Sequence, residues 1–307
     1  MRKKNSIWQK EKTYNQLEIQ SMVWPALIFL FVFSYIPMYG IIIAFKDFNI
    51  FSGFFNGKFV GLKYFRQFFT DPSLFGVVKN TLVINIMGLI FGFPAPIILA
   101  LMITSLKGSF FKKIAQTASY LPYFLSWVIF GGIIIELLSS RGFVNSIIRG
   151  IGLSKSNVNY MGNPKYFYGI FTVISIIKTI GYGSILYIAA ITGVNPELYE
   201  AANIDGAGRW RKIWNITLPS ISGTIVIMLI FQISNILNTG FEQILILQNK
   251  LNIGVSETID TYVYKVGMQQ QRYSYATAVG LIKSAIAVVL LISANKICKK
   301  LTDKGLF

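Results

Sequence analysis

Six apolar runs, each long enough to cross a bilayer as a helix, leave this chain few ways to fold. They cover residues 22–45, 76–105, 115–138, 166–191, 218–240 and 273–295 of 307. A hydrocarbon core about 30 Å thick takes roughly 20 apolar residues in helical form. Within it every backbone N–H and C=O must be satisfied by the protein itself, which admits only helices and closed barrels. Barrel strands are about 10 residues long and alternate in polarity, and these runs do neither. The fold class is therefore all-α, a polytopic membrane protein with six transmembrane helices. The chain is 53% hydrophobic and 13% charged, about half the charged share of a soluble domain.

Twenty-nine Lys and Arg against twelve Asp and Glu give a net charge of +17. In a soluble protein this would suggest nucleic acid; here basic residues flank spans and hold them in place, so no nucleic-acid partner is expected. With both termini inside, the cytosolic pieces hold fifteen basic residues in 66 positions and the outer pieces eleven in 88. The denser side fixes the orientation. The expected plan is a cytosolic tail over 1–21, a transmembrane domain over 22–297 with a cytosolic loop at 192–218, and a cytosolic tail over 298–307. Cys298 is alone and histidine is absent, which removes disulfides, His-based acid–base chemistry and the usual zinc sites. The basic opening "MRKKNSIWQKEKTYNQ" precedes a run too long for a signal peptide and reads as an uncleaved first span.

Pro25 and Pro37 suggest a kinked first span. In the first outer loop, "GLKYFRQFF" reads as a short interfacial helix with Phe65, Phe68 and Phe69 on one side. Gly88, Gly92, Pro94 and Pro96 in span two, and Gly181 and Gly183 in span four, allow close helix approach or bending. Gln232, Asn235, Asn238 and Glu242 recur near helical spacing in span five. Residues 241–272 read as a polar outer loop.

The least membrane-like segment between spans is "PELYEAANIDGAGRWRKIWNITLPSI", residues 196–221. Asn195 and Pro196 are a good helix start, and Glu197 and Glu200 suit its early turns. Gly206 and Gly208 break that helix after about residue 203, Asp205 can cap a second helix, and this one runs to Leu218 and Pro219. The bracket is too apolar for a loop in water, with Leu198, Ala201, Ala202, Ile213, Trp214 and Ile216. From the residues alone, docking of another protein and packing on its own bundle stay equally open.

Glu200-Ala201-Ala202, Asp205-Gly206-Ala207, then Ile213, Ile216, Leu218 and Pro219 resemble the "EAA…DGA…I.LP" loop of ABC-importer permease subunits. "FSYIPMYGIIIAFKDFN", "FVGLKYFRQFF" and "QQQRYSYATAVGLIKSAI" are similar to permeases for complex oligosaccharides, the lipoprotein-dependent polysaccharide branch. The resemblance covers most of residues 20 to 300 and departs from the motif at Ile213, where an aromatic is common. It implies the type I importer fold and a coupling helix that inserts into an ATPase cleft. Glu200, Ala201, Ala202, Asp205, Gly206, Ala207, Arg209, Ile213, Leu218 and Pro219 inherit that role by match.

The resemblance further implies a second, homologous permease as heterodimer partner, two ATPase subunits and an extracellular substrate-binding lipoprotein. It places the chain in a bacterial plasma membrane, in a Gram-positive setting. The chain has no G-x-x-x-x-G-K-[ST] motif, so no cofactor is expected on it; ATP and Mg belong to the partner ATPase. A sugar path needs polar side chains and aromatic faces, and Asn85, Glu136, Tyr182, Gln232, Asn235 and Asn238 are the candidates, with Lys178 and Lys283 as partners for acidic sugars. An ion-driven secondary transporter would need intramembrane carboxylates, of which only Glu136 lies well inside a span. An intramembrane enzyme would need a catalytic constellation that the sequence lacks. A permease for amino acids or peptides would share the docking loop.

Overall fold

The computed structural model describes residues 18, 20–51, 53, 56–152 and 156–302; the expected N-terminal tail up to residue 17 and the last five residues lie outside them. Among the described residues five helices are long and apolar enough to span a membrane: α1 (Gln20–Phe45), α3 (Pro72–Thr104), α7 (Pro164–Thr192), α9 (Arg209–Ser234) and α13 (Tyr273–Thr302). Between the first two lie an antiparallel pair, β1 (Lys46–Asp47) with β2 (Lys58–Phe59), and the short helix α2 (Lys63–Thr70). In α2, Tyr64 and Phe68 pack on the core while Phe69 stays 78% exposed, so the three phenylalanines do not share a face.

The expected third span is two helices, α4 (Ser109–Phe124) and α5 (Trp127–Leu137), meeting at 97°, and the short α6 (Phe143–Gly150) follows them. The cause is local. Pro122 lies in the last turn of α4, Leu125 is extended, and Ser126 restarts the chain by accepting from the Ile129 N–H. A helix end inside a bundle leaves carbonyls without partners. Lys178 of α7, only 4% exposed, supplies them: its ammonium donates to the carbonyls of Pro122 (3.0 Å), Tyr123 (3.3 Å) and Leu125. It also stands over the rings of Trp127 and Phe130.

Three wide, π-type turns interrupt the long helices at Phe31–Tyr35, Gly88–Gly92 and Ile213–Thr217. Each ends two residues before a proline: Pro37, Pro94 and Pro219. A helical proline lacks an N–H and collides with the carbonyl four residues back. That carbonyl belongs to Phe33, Ile90 or Asn215, the middle residue of each wide turn. The extra residue opens the helix where the ring would clash, so the helices continue through. The second helix of the 196–221 bracket therefore does not stop at Pro219 but is the first part of α9.

Residues 241–272 are not an exposed loop. They fold into the bundle as α10 (Phe241–Leu247), α11 (Ile253–Ser256) and α12 (Ile259–Tyr264), with Ile244, Asn252 and Thr258 fully buried. Irregular backbone at this depth is tolerated only where protein satisfies it. Asn80 of α3 donates to the carbonyls of Gly254 and Glu257 and accepts from the Tyr168 hydroxyl at 2.7 Å. Asn252 donates to the carbonyls of Met161 and Leu247. One apolar cluster joins Ile84, Phe130, Phe171 and Ile244; a second joins Leu74, Leu237, Ile259 and Tyr275. Gly181 serves close packing: a Cβ there would sit 1.9 Å from the Ser119 carbonyl oxygen. In α1, by contrast, residues 20–39 are all exposed.

Candidate functional site: a polar cavity and an exposed bracket

A cavity of about 470 Å³ opens between α3, the end of α4, α7 and the end of α9. Five residues expected on a substrate path line it: Asn85, Tyr182, Gln232, Asn235 and Asn238. They do not arrive as one helix face. The α9 helix ends at Ser234, Asn235 closes it by donating to the Phe231 carbonyl, and Asn238 donates to the Asn235 side chain at 2.9 Å. Gly240, at φ 67°, then turns the chain into α10. A turn, not helical periodicity, presents the two amides.

Glu136 does not line the cavity. It is exposed near the C-terminal end of α5. Lys178 is spent on the α4–α5 break, and Lys283 of α13 is ion-paired with Asp260 of α12, so neither ammonium faces the cavity. Among the described residues no Asp, Glu, Lys or Arg lines it.

Sequence reasoning missed Tyr123, Thr172, Ser175 and Gln243 as lining residues. Gln243 is buried and donates to the Ser175 hydroxyl. Tyr123 stacks on Tyr182, ring centroids 3.9 Å apart and 3° from parallel. Both rings remain partly exposed, 38% and 48%, so the stack forms part of an open wall. The wide turn at Gly88–Gly92 faces the same space and removes side-chain bulk from it.

At the Thr104 end of the bundle the bracket forms, but Asp205 does not cap its second helix: that helix starts from Gly208 without a side-chain cap. Asn195 accepts from the Glu197 N–H at 3.0 Å and Pro196 opens α8 (Pro196–Ile204). Its other end is a Schellman turn. Gly206 sits at φ 70°, its N–H reaches the Asn203 carbonyl at 3.1 Å, and the Ala207 N–H reaches that of Ala202 at 2.8 Å. The Ala202, Gly206 and Ala207 positions are thus explained physically: a left-handed residue flanked by small side chains. Tyr199 bonds Thr217 at 2.9 Å and Lys212 donates to Asn203, which ties α8 to the start of α9. Glu200, Ala201, Asp205 and Arg209 are exposed; Ala202, Ala207, Ile213 and Leu218 are half-buried; Pro219 is exposed. The most exposed apolar side chains here are Ile204 at 88% and Trp210 at 75%, neither singled out from the sequence, although Ile204 stands between the two motif halves.

Residues 92–303 match the sequence profile of the family described as binding-protein-dependent transport system inner membrane component. The chain belongs to this family. Among relatives of this inner membrane component, the protein LplB of Bacillus subtilis is 42% identical over 92% of this chain and 89% of its own length. The polygalacturonan/rhamnogalacturonan transport system permease protein YteP of the same organism is 41% identical over 96% and 92%. A chain in the crystal structure of a bacterial alginate ABC transporter, in complex with an alginate pentasaccharide-bound periplasmic protein, superposes on this inner membrane component with a TM-score of 0.86. It is 36% identical and aligned over 96% of this chain and 99% of that one. As an inner membrane component, the chain is an integral membrane subunit of an ABC import system that works with a binding protein.

Proposed function

We propose that the chain is one of two non-identical membrane-spanning halves of an ATP-driven oligosaccharide importer. The observation that carries this reading is the cavity: neutral amides and hydroxyls beside a stacked tyrosine pair, in an inner membrane component whose relatives include a polygalacturonan/rhamnogalacturonan permease. Amides bond sugar hydroxyls and tyrosine faces cover the apolar faces of pyranose rings. Without an ionised side chain, this half of the path reads hydroxyls, and a substrate carboxylate must be met by the second permease. Tyr123 and Tyr182 stay partly exposed in its wall, as half of a shared path requires, and the exposed length of α1 faces lipid or that partner.

The bracket is the coupling element. Glu200, Ala201, Ala202, Asp205, Gly206, Ala207 and Arg209 lie on or beside α8 and its Schellman turn, with Ile204 and Trp210 as the apolar anchors offered to one of two ATPase subunits. Ile213, Leu218 and Pro219 connect it to α9. ATP and Mg act in those partners, whose closure draws the brackets together and switches the cavity between inward and outward access. An extracellular lipoprotein delivers the oligosaccharide. Both termini and the bracket are cytosolic, the membrane domain spans 22–297, and the setting is the plasma membrane of a Gram-positive cell.

The test is purification in mild detergent of wild type and of a Gly206→Pro, Glu200→Arg variant, with identification of what accompanies each. The variant is expected to lose an ATPase and keep a second permease. An isolated wild-type chain, with no ATPase at all, would overturn the reading.

A further inference from the structure

A second cavity, of about 440 Å³, lies where the ends of α3 and α7 meet the bracket. Lys112 of α4 and Arg209 and Lys212 of α9 line it, and no carboxylate among the described residues does. Its hydroxyls are already committed: Thr104 donates to the Ala100 carbonyl, Thr192 to that of Ala189, and Tyr199 is bonded to Thr217. The groups left to hold a ligand are therefore the three cations. Lys212 uses one N–H on Asn203, while the side chains of Lys112 and Arg209 have no hydrogen-bond or ion-pair partner among the described residues. Three positive charges around one void repel one another until an anion stands between them.

Position narrows the class of anion. The walls are the last turns of membrane-spanning helices, Leu101–Ser105 and Ile191–Thr192, so the void lies level with the headgroups of one leaflet. Basic pockets between span ends take phosphorylated headgroups, and an arginine with two lysines matches a phosphate in charge and donors. We propose that this cavity binds a phosphate group, carried by an anionic phospholipid or by a soluble anion. On the orientation proposed above, the leaflet is the cytosolic one. Because Lys112 belongs to α4 and Arg209 and Lys212 to the bracket, the bound phosphate ties the bracket to the bundle and stiffens it.

The test is native mass spectrometry of the complex, full chain included, from micelles doped with phosphatidylglycerol or phosphatidylcholine. Wild type is compared with Lys112→Gln, Lys212→Gln and with Lys107→Gln, Lys113→Gln; the second pair loses the same charge outside the cavity. Wild type and the second pair should retain phosphatidylglycerol at least tenfold over phosphatidylcholine, and the first pair should lose that preference. Displacement of the lipid by millimolar inorganic phosphate would identify the phosphate as the recognised group. Inorganic phosphate binding that is lost only in the first pair, without lipid preference, would assign the soluble source. Equal behaviour of the two pairs overturns the proposal. The readouts are taken on the chain with whatever subunits accompany it and need no sidedness, sugar or ATP hydrolysis, so failure here and failure of the importer reading are separate results.

Discussion

The rings of Tyr123 and Tyr182 lie face to face at 3.9 Å, one from the last turn of α4 and the other from the middle of α7. Because α4 stops at the Lys178-capped break, Tyr123 stands at a helix end, where it enters the cavity without a second turn blocking it.

Removing one ring should separate stacking from hydrogen bonding. Tyr182→Ala is expected to lower oligosaccharide-stimulated ATP hydrolysis of the reconstituted importer about tenfold, the worth of an aromatic contact of roughly 1–1.5 kcal/mol. Tyr182→Phe keeps the ring and should stay within about twofold. Equal losses in both would assign the residue's effect to its hydroxyl and remove the stack from the substrate path.

Lys178 should matter to folding more than to sugar. Its ammonium bonds three carbonyls at the α4–α5 break, and hydrogen bonds to a charged group are worth about 1.5–3 kcal/mol each when a partner is removed. Lys178→Met is expected to lower the thermal midpoint of the detergent-solubilised protein by several degrees and to leave little monodisperse material on gel filtration. A well-folded Lys178→Met protein with a selective loss of acidic-substrate transport would instead return Lys178 to the substrate path.

Much of this was legible because a membrane restricts folds so tightly. Run length alone placed the five spanning helices and the apolar run that forms the broken pair, and Asn195-Pro196 and Gly206 fixed the bracket through local backbone chemistry. What was illegible depends on contacts between distant residues. The 97° break needs Lys178, more than fifty residues away, and an apolar run reads the same whether straight or broken. The burial of 241–272 depends on Asn80 and Asn252 satisfying its backbone, which polarity alone reports as an exposed loop. Asn235 and Asn238 were found on the wrong argument: the spacing of three that suggested a helix face also suits the turn after the helix.

Ile204 tests the bracket as a docking surface. It is 88% exposed at the end of α8, beside the Schellman turn, so substitution should leave the fold intact. A buried interface anchor is worth about 2 kcal/mol or more. Ile204→Asp is therefore expected to weaken ATPase association about thirtyfold or more, read by titration of the purified ATPase onto the permease in nanodiscs, with an unchanged thermal midpoint. Unaltered affinity would confine docking to other faces of the bracket.

Asp71 joins three elements at the end of the bundle opposite the bracket. It caps α3 through the Ser73 N–H at 3.0 Å and accepts from the hydroxyls of Tyr262 at 2.8 Å and Tyr275 at 3.0 Å. Burial pushes its carboxyl up, but the Tyr262, Ser73 and Tyr275 hydrogen bonds together outweigh that and hold it below the ordinary value of 3.8. A lowered acid favours the folded state while ionised, so this stabilisation is full above that ordinary value and is lost as the pH falls through the lower folded one. Asp71→Ala removes the cap, at a cost of about 1 kcal/mol, and leaves two hydroxyls without their acceptor. Thermal midpoints in detergent should separate wild type from Asp71→Ala clearly at neutral pH and converge below the ordinary value. A gap that stays constant into acid would mean that the side chain stabilises by shape alone and that its charge contributes nothing to joining α3, α12 and α13.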